Sequence, residues 1–453
     1  MVQTGPMASP KSELNRRELM AGLGAAAGIL ALPAAVTAQG RPAVSVRLAA
    51  SSISLRAGGP DTPIWSLSEF GGRFGQGDVV ADLKYARGDI VEIGLANDLP
   101  IPAVLNWRSF NGATGAEPLT GRPPVAPGGK DTFQIPLRHA GTYLCDAKLL
   151  GDGQAWPSRA RALLVAENER VAVDNDEVCL IEDWRLRADG TAIAPGLDAQ
   201  DTSYVYTTNG RASFELSARA HERLRIRFIN SCQRSVIAIK LENCDVRVMA
   251  VDGQPAEPFP ARNGAVLLAP GSRVDAFVDI TMPAGTSTPI LLHDGKEARA
   301  IGKILVSNEP PMRPSPLPLA PPLPSNGLPE RIELKGATRI DLTLGGSQGE
   351  WVAPAGFAVT AAPAFRVKTG RTVVLALTNR AATTTVFHLH GHHFRLLDRL
   401  DDGWKPFWLD SLAIEPNQTE RIAFAAEHAG RWLVESVAVD WAAPRLVRWY
   451  GVE

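Results

Sequence analysis

The sequence of 453 residues is poor in the residues that commonly bind metals and cross-link domains. It contains eight histidines, four cysteines and six methionines. Four cysteines with no CxxC pair exclude a dense disulfide framework and give no sign of a zinc ribbon. The histidine count limits the metal sites that the chain can form, because any cluster that needs more than eight imidazole ligands is excluded.

The sequence also lacks an excess of either charge. Lys and Arg total 47 against 48 Asp and Glu, so no net field attracts nucleic acid or an anionic membrane, and we expect no nucleic-acid partner. No GxSxG elbow, P-loop, HExxH or dinucleotide motif appears in a fitting context. Hydrophobic residues make up 45% of the chain, as in ordinary globular proteins, and the length suggests about three domains.

The N-terminal residues follow the order of an export signal. The paired Arg16 and Arg17 precede an apolar stretch at 21–36, and small residues at 36–38 offer a cleavage point. The arginine pair is typical of twin-arginine signals. A transmembrane anchor is the alternative, but the stretch is rich in Ala and Gly and only weakly hydrophobic. We therefore predict a signal peptide at 1–38, a periplasmic mature chain and no transmembrane segment within it.

The rest of the chain repeats a strand pattern three times. Alternating runs that each end in asparagine occupy 88–97, 221–230 and 370–379. Short Pro-Gly and Ala-Gly markers follow at a period of about 145 residues, which suits tandem β-sandwich domains. A proline-rich stretch at 309–329 is predicted to be a semi-rigid linker. The predicted domains are 39–168, 169–308 and 330–453.

The densest motif is a run of histidines around Gly391. The segment Phe387–Phe394, together with Asp89–Asn97, Ala269–Asp275 and Ala429–Trp432, resembles the multicopper oxidase family over nearly the whole mature chain. This resemblance implies an all-β fold of three tandem cupredoxin-like Greek-key β-sandwich domains. It also implies three clustered coppers that reduce dioxygen and a single copper that accepts electrons. A shared fold does not establish a shared function, so each site is read separately.

Eight positions correspond to the histidines of the three-copper cluster. Residues two apart on a strand face the same side, so the first and third domains each present two same-face pairs at one seam. In this sequence the eight positions are Asn106, Arg108, Asp146, Lys148, His388, His390, Glu435 and Val437. Only two are histidines, and Arg and Lys have no lone pair to offer at neutral pH. A three-copper cluster is therefore not expected.

The positions of the single copper have also changed. Such a copper needs a thiolate, two imidazoles and a weak axial ligand. The resemblance places these ligands at Thr385, Ser436, Trp441 and Leu446. Because a serine hydroxyl cannot supply the thiolate, we expect the route of electron entry to be lost.

The residues at the cluster positions predict ion pairs in place of metal. Our hypothesis pairs Arg108 with Asp146, and Lys148 with Glu435 across the first and third domains. Loss of one partner from such a buried pair would cost about 3–5 kcal/mol.

The remaining histidines leave two interpretations open. His388 and His390 are either structural residues hydrogen-bonded at the seam, or part of a solitary metal site completed by Glu435 or Asp146. Copper or another divalent metal would suit such a site, although the neighbouring Lys148 counts against it.

The sequence thus predicts an exported multicopper-oxidase-like protein with degenerate copper sites. It resembles the copper-less members of the family, such as the SufI-like bacterial cell-division proteins. That resemblance implies a non-catalytic periplasmic scaffold without a cofactor, bound to an unknown periplasmic or membrane protein. The alternative is a copper-dependent oxidoreductase or metal-binding protein that uses a residual site around His388 and His390.

Overall fold

The computed structural model describes residues 43–56, 58–69, 80–345, 350–398 and 403–453, and these are folded almost entirely into β-strands. Within these ranges there is no α-helix, only three short 3-10 helices, and hence no helix long and apolar enough to cross a membrane. The predicted signal peptide, with Arg16 and Arg17, lies outside the described residues.

The first sandwich contains two four-stranded sheets, ordered β2-β1-β4-β6 and β3-β8-β7-β5. Its strands are β1 Ala43–Ile53, β2 Thr62–Glu69, β3 Val80–Ala86, β4 Ile90–Asn97, β5 Asn106–Arg108, β6 Lys130–Pro136, β7 Gly141–Asp146 and β8 Ala160–Ala166. On β4 the alternating Val91, Ile93 and Leu95 are buried, because side chains two apart point to the same face of a strand.

The second sandwich pairs a six-stranded sheet, β10-β9-β12-β17-β14-β15, with a five-stranded sheet, β11-β19-β18-β13-β16. Its strands are β9 Asn175–Leu186, β10 Ser203–Thr208, β11 Phe214–Ala218, β12 Arg223–Asn230, β13 Ile237–Leu241, β14 Val246–Val251, β15 Gln254–Pro260, β16 Ala265–Leu268, β17 Arg273–Asp279, β18 Ser287–His293 and β19 Ala298–Val306. Every residue of β12 is buried, so its arginines need carboxylate partners.

The third sandwich contains a four-stranded sheet, β20-β22-β26-β24, and a five-stranded sheet, β21-β28-β27-β23-β25. Its strands are β20 Thr338–Leu344, β21 Arg366–Val367, β22 Thr372–Asn379, β23 Thr385–Leu389, β24 Arg395–Leu396, β25 Ser411–Ile414, β26 Thr419–Ala425, β27 Gly430–Ala438 and β28 Arg445–Val452. The predicted all-β fold of three sandwiches is confirmed.

The asparagine that ends each repeated run has one structural role in all three sandwiches. Asn97, Asn230 and Asn379 are completely buried. In each case Nδ2 donates to two backbone carbonyls at 2.8 and 2.9 Å. Oδ1 accepts the backbone N–H two residues further on. The repeat in the sequence is therefore a repeated turn, in which one amide side chain satisfies backbone groups that would otherwise be buried without partners.

The proline-rich segment at 309–329 lies along the second sandwich and reaches the first. Arg223 donates to the carbonyl of Pro318 at 2.7 Å, and Leu323 is buried in an apolar cluster. Asn326 exchanges hydrogen bonds with the backbone of Ala140 at 2.9 and 2.8 Å. The segment therefore acts as a strap between the two sandwiches.

Candidate functional site

The cluster positions of the first and third sandwiches meet at one buried seam. In the strand ladders Asn106 lies opposite Asp146, and His388 lies opposite Glu435. A polar cavity remains between them, lined by Arg108, Asp146, Lys148, Ser231, His388, Glu435, Val437 and Arg445 among others. It is narrow: the centre of a water molecule could move within only about 20 Å³ of it, which is roughly room for one water.

Glu435 is the centre of the polar contacts in this cavity and is completely buried. Its Oε1 accepts hydrogen bonds from Asn106 at 3.2 Å and His390 at 2.9 Å. Arg108 forms an ion pair with it at 3.4 Å, and Arg445 donates to Oε2. Burial alone would raise the pKa of Glu435, but the two arginines hold that pKa well below its usual range. Glu435 is therefore a carboxylate with both oxygens already engaged.

His390 lies between two carboxylates. Its Nδ1 is 2.9 Å from Glu117 and its Nε2 is 2.9 Å from Glu435. Burial alone would lower the pKa of His390, but these two acidic partners raise it to about 9. The ring is therefore an imidazolium at neutral pH, in which both nitrogens are donors. Such a ring has no lone pair for a metal.

His388 has the opposite protonation state. Its Nδ1 lies 3.0 Å from the carbonyl oxygen of Asp410 and 2.9 Å from Oγ of Ser411. Burial, together with the positive charge of Arg108, lowers the pKa of His388 to about 4. This ring is therefore neutral at pH 7.

The structure supports one of the two predicted ion pairs and contradicts the other. Arg108 Nε lies 3.7 Å from Asp146. The predicted pair between Lys148 and Glu435 is wrong: Lys148 Nζ donates instead to Oγ of Ser231 at 2.8 Å and to its carbonyl. The physical reason is that β7 ends at Asp146, so the strand alternation does not extend to Lys148. Burial lowers the pKa of Lys148.

Arg445 takes the place that was predicted for Lys148. It lies on β28, opposite Val437 of β27, and its guanidinium reaches back to Glu435. Val437 itself is buried in a small apolar cluster with Ala269 and Val386. Sequence spacing gave no signal for Arg445 or Glu117, because their contacts come from sheet pairing and from a turn of the first sandwich.

The four positions of the single copper hold neutral residues in packed surroundings. Oγ1 of Thr385 donates to Oδ1 of Asn379 at 3.0 Å. Ser436 is buried and lies opposite Leu446 in the ladder, and Leu446 packs against the third core. The indole of Trp441 donates to the carbonyl of Ala194 at 3.2 Å.

A second buried cluster, which the sequence did not predict, joins all three sandwiches. Arg273 is completely buried and lies 3.7 Å from Asp252 and 2.7 Å from Asp410. Ser109 hydrogen-bonds both Arg273 and Asp410. Burial and the charge of Asp410 raise the pKa of Asp252 to about 7. Arg273 and its partners thus fix the three domains around the seam.

Comparisons with known proteins identify the family. Models of the multicopper oxidase family match residues 149–286 and 331–450. The chain belongs to the multicopper oxidase family.

Relatives within the family are distant in sequence. The chain is 24% identical over 434 residues to multicopper oxidase MmcO of Mycobacterium tuberculosis, a match that covers 79% of this chain and 80% of that protein. It is 22% identical over 373 residues to copper resistance protein A of Pseudomonas syringae pv. tomato, covering 68% of this chain and 59% of that protein. The crystal structure of a multi-copper oxidase from Pseudomonas thermotolerans shares the fold, with a TM-score of 0.76 and 21% identity over 91% of this chain and 99% of that one.

The residues present do not fit the coppers of the multicopper oxidase family. Two cations, Arg108 and Arg445, touch the carboxylate at the cluster position of Glu435. The position of the thiolate ligand holds Ser436, which cannot form the copper–sulfur bond. A single metal fits by distance alone, because ligand atoms of His388, His390 and Glu435 lie within 4.8 Å of one another. Two of these three groups, His390 and Glu435, already have charged partners within the protein.

Proposed function

We propose that this chain is an exported, non-catalytic member of the multicopper oxidase family. In this proposal it acts as a periplasmic scaffold or partner-binding protein, and buried ion pairs stand where copper would bind. The observation that carries the proposal is the set of partners around Glu435. Arg108, Arg445 and His390 all contact this one carboxylate.

Electrostatics supports the proposal that copper does not bind at these positions. Two unit charges 4 Å apart interact by about 4 kcal/mol at an effective dielectric constant of 20, and a cupric ion beside Glu435 would face two arginines and an imidazolium. An arginine cannot be deprotonated to relieve that repulsion. Copper binding would therefore require both arginines to leave a buried site, after which their charges would need new partners.

The loss of the thiolate position supports the same function. In a copper oxidase of this family, as implied by the resemblance, substrate electrons enter through the single copper. Here Thr385, Ser436 and Trp441 are buried, and none of them supplies a thiolate or an imidazole. Oxidation of a substrate would thus lack both an entry for electrons and a cluster to receive them.

A second candidate function uses the remaining histidines. The distances among His388, His390 and Glu435 favour a site for one divalent metal. Such binding would require His390 to lose a proton held by two carboxylates and Glu435 to release Arg445. The first candidate requires neither change.

Copper loading tests the proposal directly. The purified mature protein would be incubated with copper, dialysed, and assayed for bound copper and for dioxygen uptake with a phenol or cuprous ion. We expect far less than one copper per chain and no dioxygen uptake. Stoichiometric copper with turnover would overturn the proposal. One bound metal without turnover, lost in both His388→Ala and His390→Ala, would establish the second candidate instead.

Export is tested separately through the arginine pair. A double substitution of Arg16 and Arg17 by lysine is expected to hold the chain in the cytoplasm, because the twin-arginine route depends on that pair. Equal amounts of both forms in the periplasmic fraction would contradict the proposed route. Crosslinking in the periplasm, followed by a binding assay with each purified candidate, would then identify a partner.

A further inference from the structure

The seam cavity, which is the polar cavity beside Glu435, is lined by more cations than carboxylates. The charged side chains of its described lining are three basic and two acidic ones: Arg108, Lys148, Arg445, Asp146 and Glu435. All five residues are buried, and none is more than 5% exposed. His388 also lines the cavity and is neutral at pH 7, because its pKa is about 4. The lining therefore carries an excess positive charge when Lys148 is protonated.

The charged residues that contact this lining have opposite charges of their own beside them. Asp152 accepts the backbone N–H of Arg445, Arg273 donates to the carbonyl of Gly271, and His390 donates to Glu435. Each belongs to a further ion pair: His390 with Glu117 at 2.9 Å, Arg234 with Asp152 at 2.7 Å and Arg273 with Asp410 at 2.7 Å. The excess positive charge of the lining therefore stays at the cavity.

Arg108 has hydrogen-bond donors that the protein does not satisfy. Its Nε has no hydrogen-bond partner in the described part of the chain, and the carboxylates that it faces, Asp146 and Glu435, lie 3.7 and 3.4 Å away. Hydrogen bonds between charged groups are usually about 2.7–2.9 Å long. A Cβ atom at Gly271 would lie 3.1 Å from Nη1 of Arg108, so the guanidinium packs against backbone that carries no side chain. Ion pairs of this length leave room for a bridging water or ion.

Two further cations offer donors at the same cavity. Arg445 donates through Nη1 to Glu435, whereas its Nε has no hydrogen-bond partner in the described ranges. Lys148 Nζ donates to the carbonyl and to Oγ of Ser231, and an ammonium group has a third N–H. Burial lowers the pKa of Lys148, and an anion beside it would favour the protonated form. Donors of the first and third sandwiches thus meet at one cavity.

The size and the walls of the cavity restrict what it can hold. It has roughly room for one particle of the size of water, so sulfate, phosphate and organic carboxylates are too large. Leu144, Val386 and Val437 form apolar parts of the wall and offer no hydrogen bonds to an ion that has lost its water shell. These limits favour a small, weakly hydrated anion.

We propose that the seam cavity binds a single chloride ion between Arg108, Arg445 and Lys148. This inference rests on the proposed function, because copper would occupy the same space. A water molecule would accept hydrogen bonds from the unpartnered N–H groups but would leave the excess charge unbalanced, which is costly in a buried site. Chloride does both, and it links the first sandwich to the third.

Chloride-dependent stability of the purified copper-free protein is the first test. Urea denaturation would be measured while chloride replaces gluconate at constant ionic strength, because a ligand that binds only the folded state raises its stability with concentration. We expect the urea midpoint to rise over about two decades of chloride concentration, and bromide to act like chloride. A midpoint that does not change with chloride would overturn the proposal.

Bromide locates the ion directly. In crystals grown with bromide in place of chloride, we expect an anomalous peak in the seam cavity, within hydrogen-bond distance of Arg108 and Arg445. Density that fits water, with no anomalous peak, would refute chloride binding. A peak in crystals of a protein whose stability does not respond to chloride would indicate an adventitious ion only, and would also refute it.

A variant tests the role of the lining cations. Lys148→Met is expected to weaken chloride binding about tenfold to hundredfold. The control is Lys405→Met, because this lysine is 50% exposed and pairs with Asp398 on the surface, so the variant should respond to chloride like the wild type. An unchanged chloride response in folded Lys148→Met would contradict the proposal, and the bromide crystals decide if that variant does not fold.

The copper content of the same samples separates this inference from the proposed function. Stoichiometric copper at the seam would refute the proposed function, whatever the effect of chloride. A copper-free protein whose stability ignores chloride would refute only the chloride site.

Discussion

The two regions that correspond to the copper sites of the family hold different kinds of side chains in this protein. At the cluster positions, two cations, Arg108 and Arg445, contact the buried carboxylate of Glu435. At the positions of the single copper the side chains are neutral and packed together. Ser436 on β27, for example, lies opposite Leu446 on β28. The region with a buried carboxylate also holds the cations that balance its charge, whereas the region of neutral side chains is filled by packing alone.

This difference has an energetic consequence. Buried ion pairs add little net stability, but removing one partner leaves an uncompensated charge. Neutral side chains lack this sensitivity, because removal of one hydroxyl leaves at most one hydrogen-bonding group without a partner. The cluster region should therefore be sensitive to single substitutions, and the region of the single copper tolerant of conservative ones.

The largest effect is expected from Glu435→Ala. It would leave Arg108, Arg445 and protonated His390 without their shared carboxylate, at a cost of about 3–5 kcal/mol in the free energy of unfolding. Urea denaturation measures this cost. The exposed Glu427 is the control, and Glu427→Ala should change stability by no more than about 0.5 kcal/mol. A loss of stability for Glu435→Ala as small as that of Glu427→Ala would contradict the claim that the cluster region is sensitive to single substitutions.

A pH-dependent effect is expected at His390. Its pKa is raised from 6.5 to about 9 in the folded protein, so its stabilising contribution is complete below about pH 6.5 and is lost as the pH rises through 9. The advantage of wild type over His390→Gln should therefore shrink by roughly 3 kcal/mol over that interval. His293→Gln, at an exposed position, serves as the control. An advantage that stays constant with pH would show that His390 is not charged.

A smaller effect is expected from Thr385→Val in the region of the single copper. The substitution removes one hydrogen bond to Asn379, but Oδ1 of Asn379 keeps the backbone N–H of Ala381 at 2.9 Å. We expect a loss of about 1 kcal/mol, measured by the same denaturation. A loss as large as that of Glu435→Ala would mean that the two regions do not differ.

The smallest effect is expected from Ser436→Ala. The hydroxyl of Ser436 makes no hydrogen bond to any side chain or backbone group in the described ranges, and its neighbours in the ladder are Phe387 and Leu446. The change in the free energy of unfolding should stay within about 0.5 kcal/mol. A thermal denaturation curve well below that of the wild type would reveal a structural role at this position.

Much of this architecture could be predicted from the sequence, because it depends on local patterns. The three runs ending in Asn97, Asn230 and Asn379 predicted the sandwiches, since the same turn recurs at each. The positions of Arg108 and Asp146 predicted their contact, because both lie on paired strands.

The remaining contacts depend on where strands end and which strands pair. Lys148 lies beyond the end of β7, so alternation assigned it the wrong partner. Arg445 reaches Glu435 through the pairing of β27 with β28, and Glu117 approaches His390 from a turn of another sandwich. Spacing along one chain carries no signal for such contacts.

The protonation state of His390 tests the central claim that a proton and two arginines occupy the place of the metal. Nitrogen NMR of the histidine rings, assigned by comparison with His390→Gln, measures it. The predicted result is a ring protonated on both nitrogens at neutral pH, with a titration midpoint of about 9 and no change on addition of one equivalent of zinc. A neutral ring at neutral pH, or a zinc-induced shift shared by His388 and His390, would contradict the account.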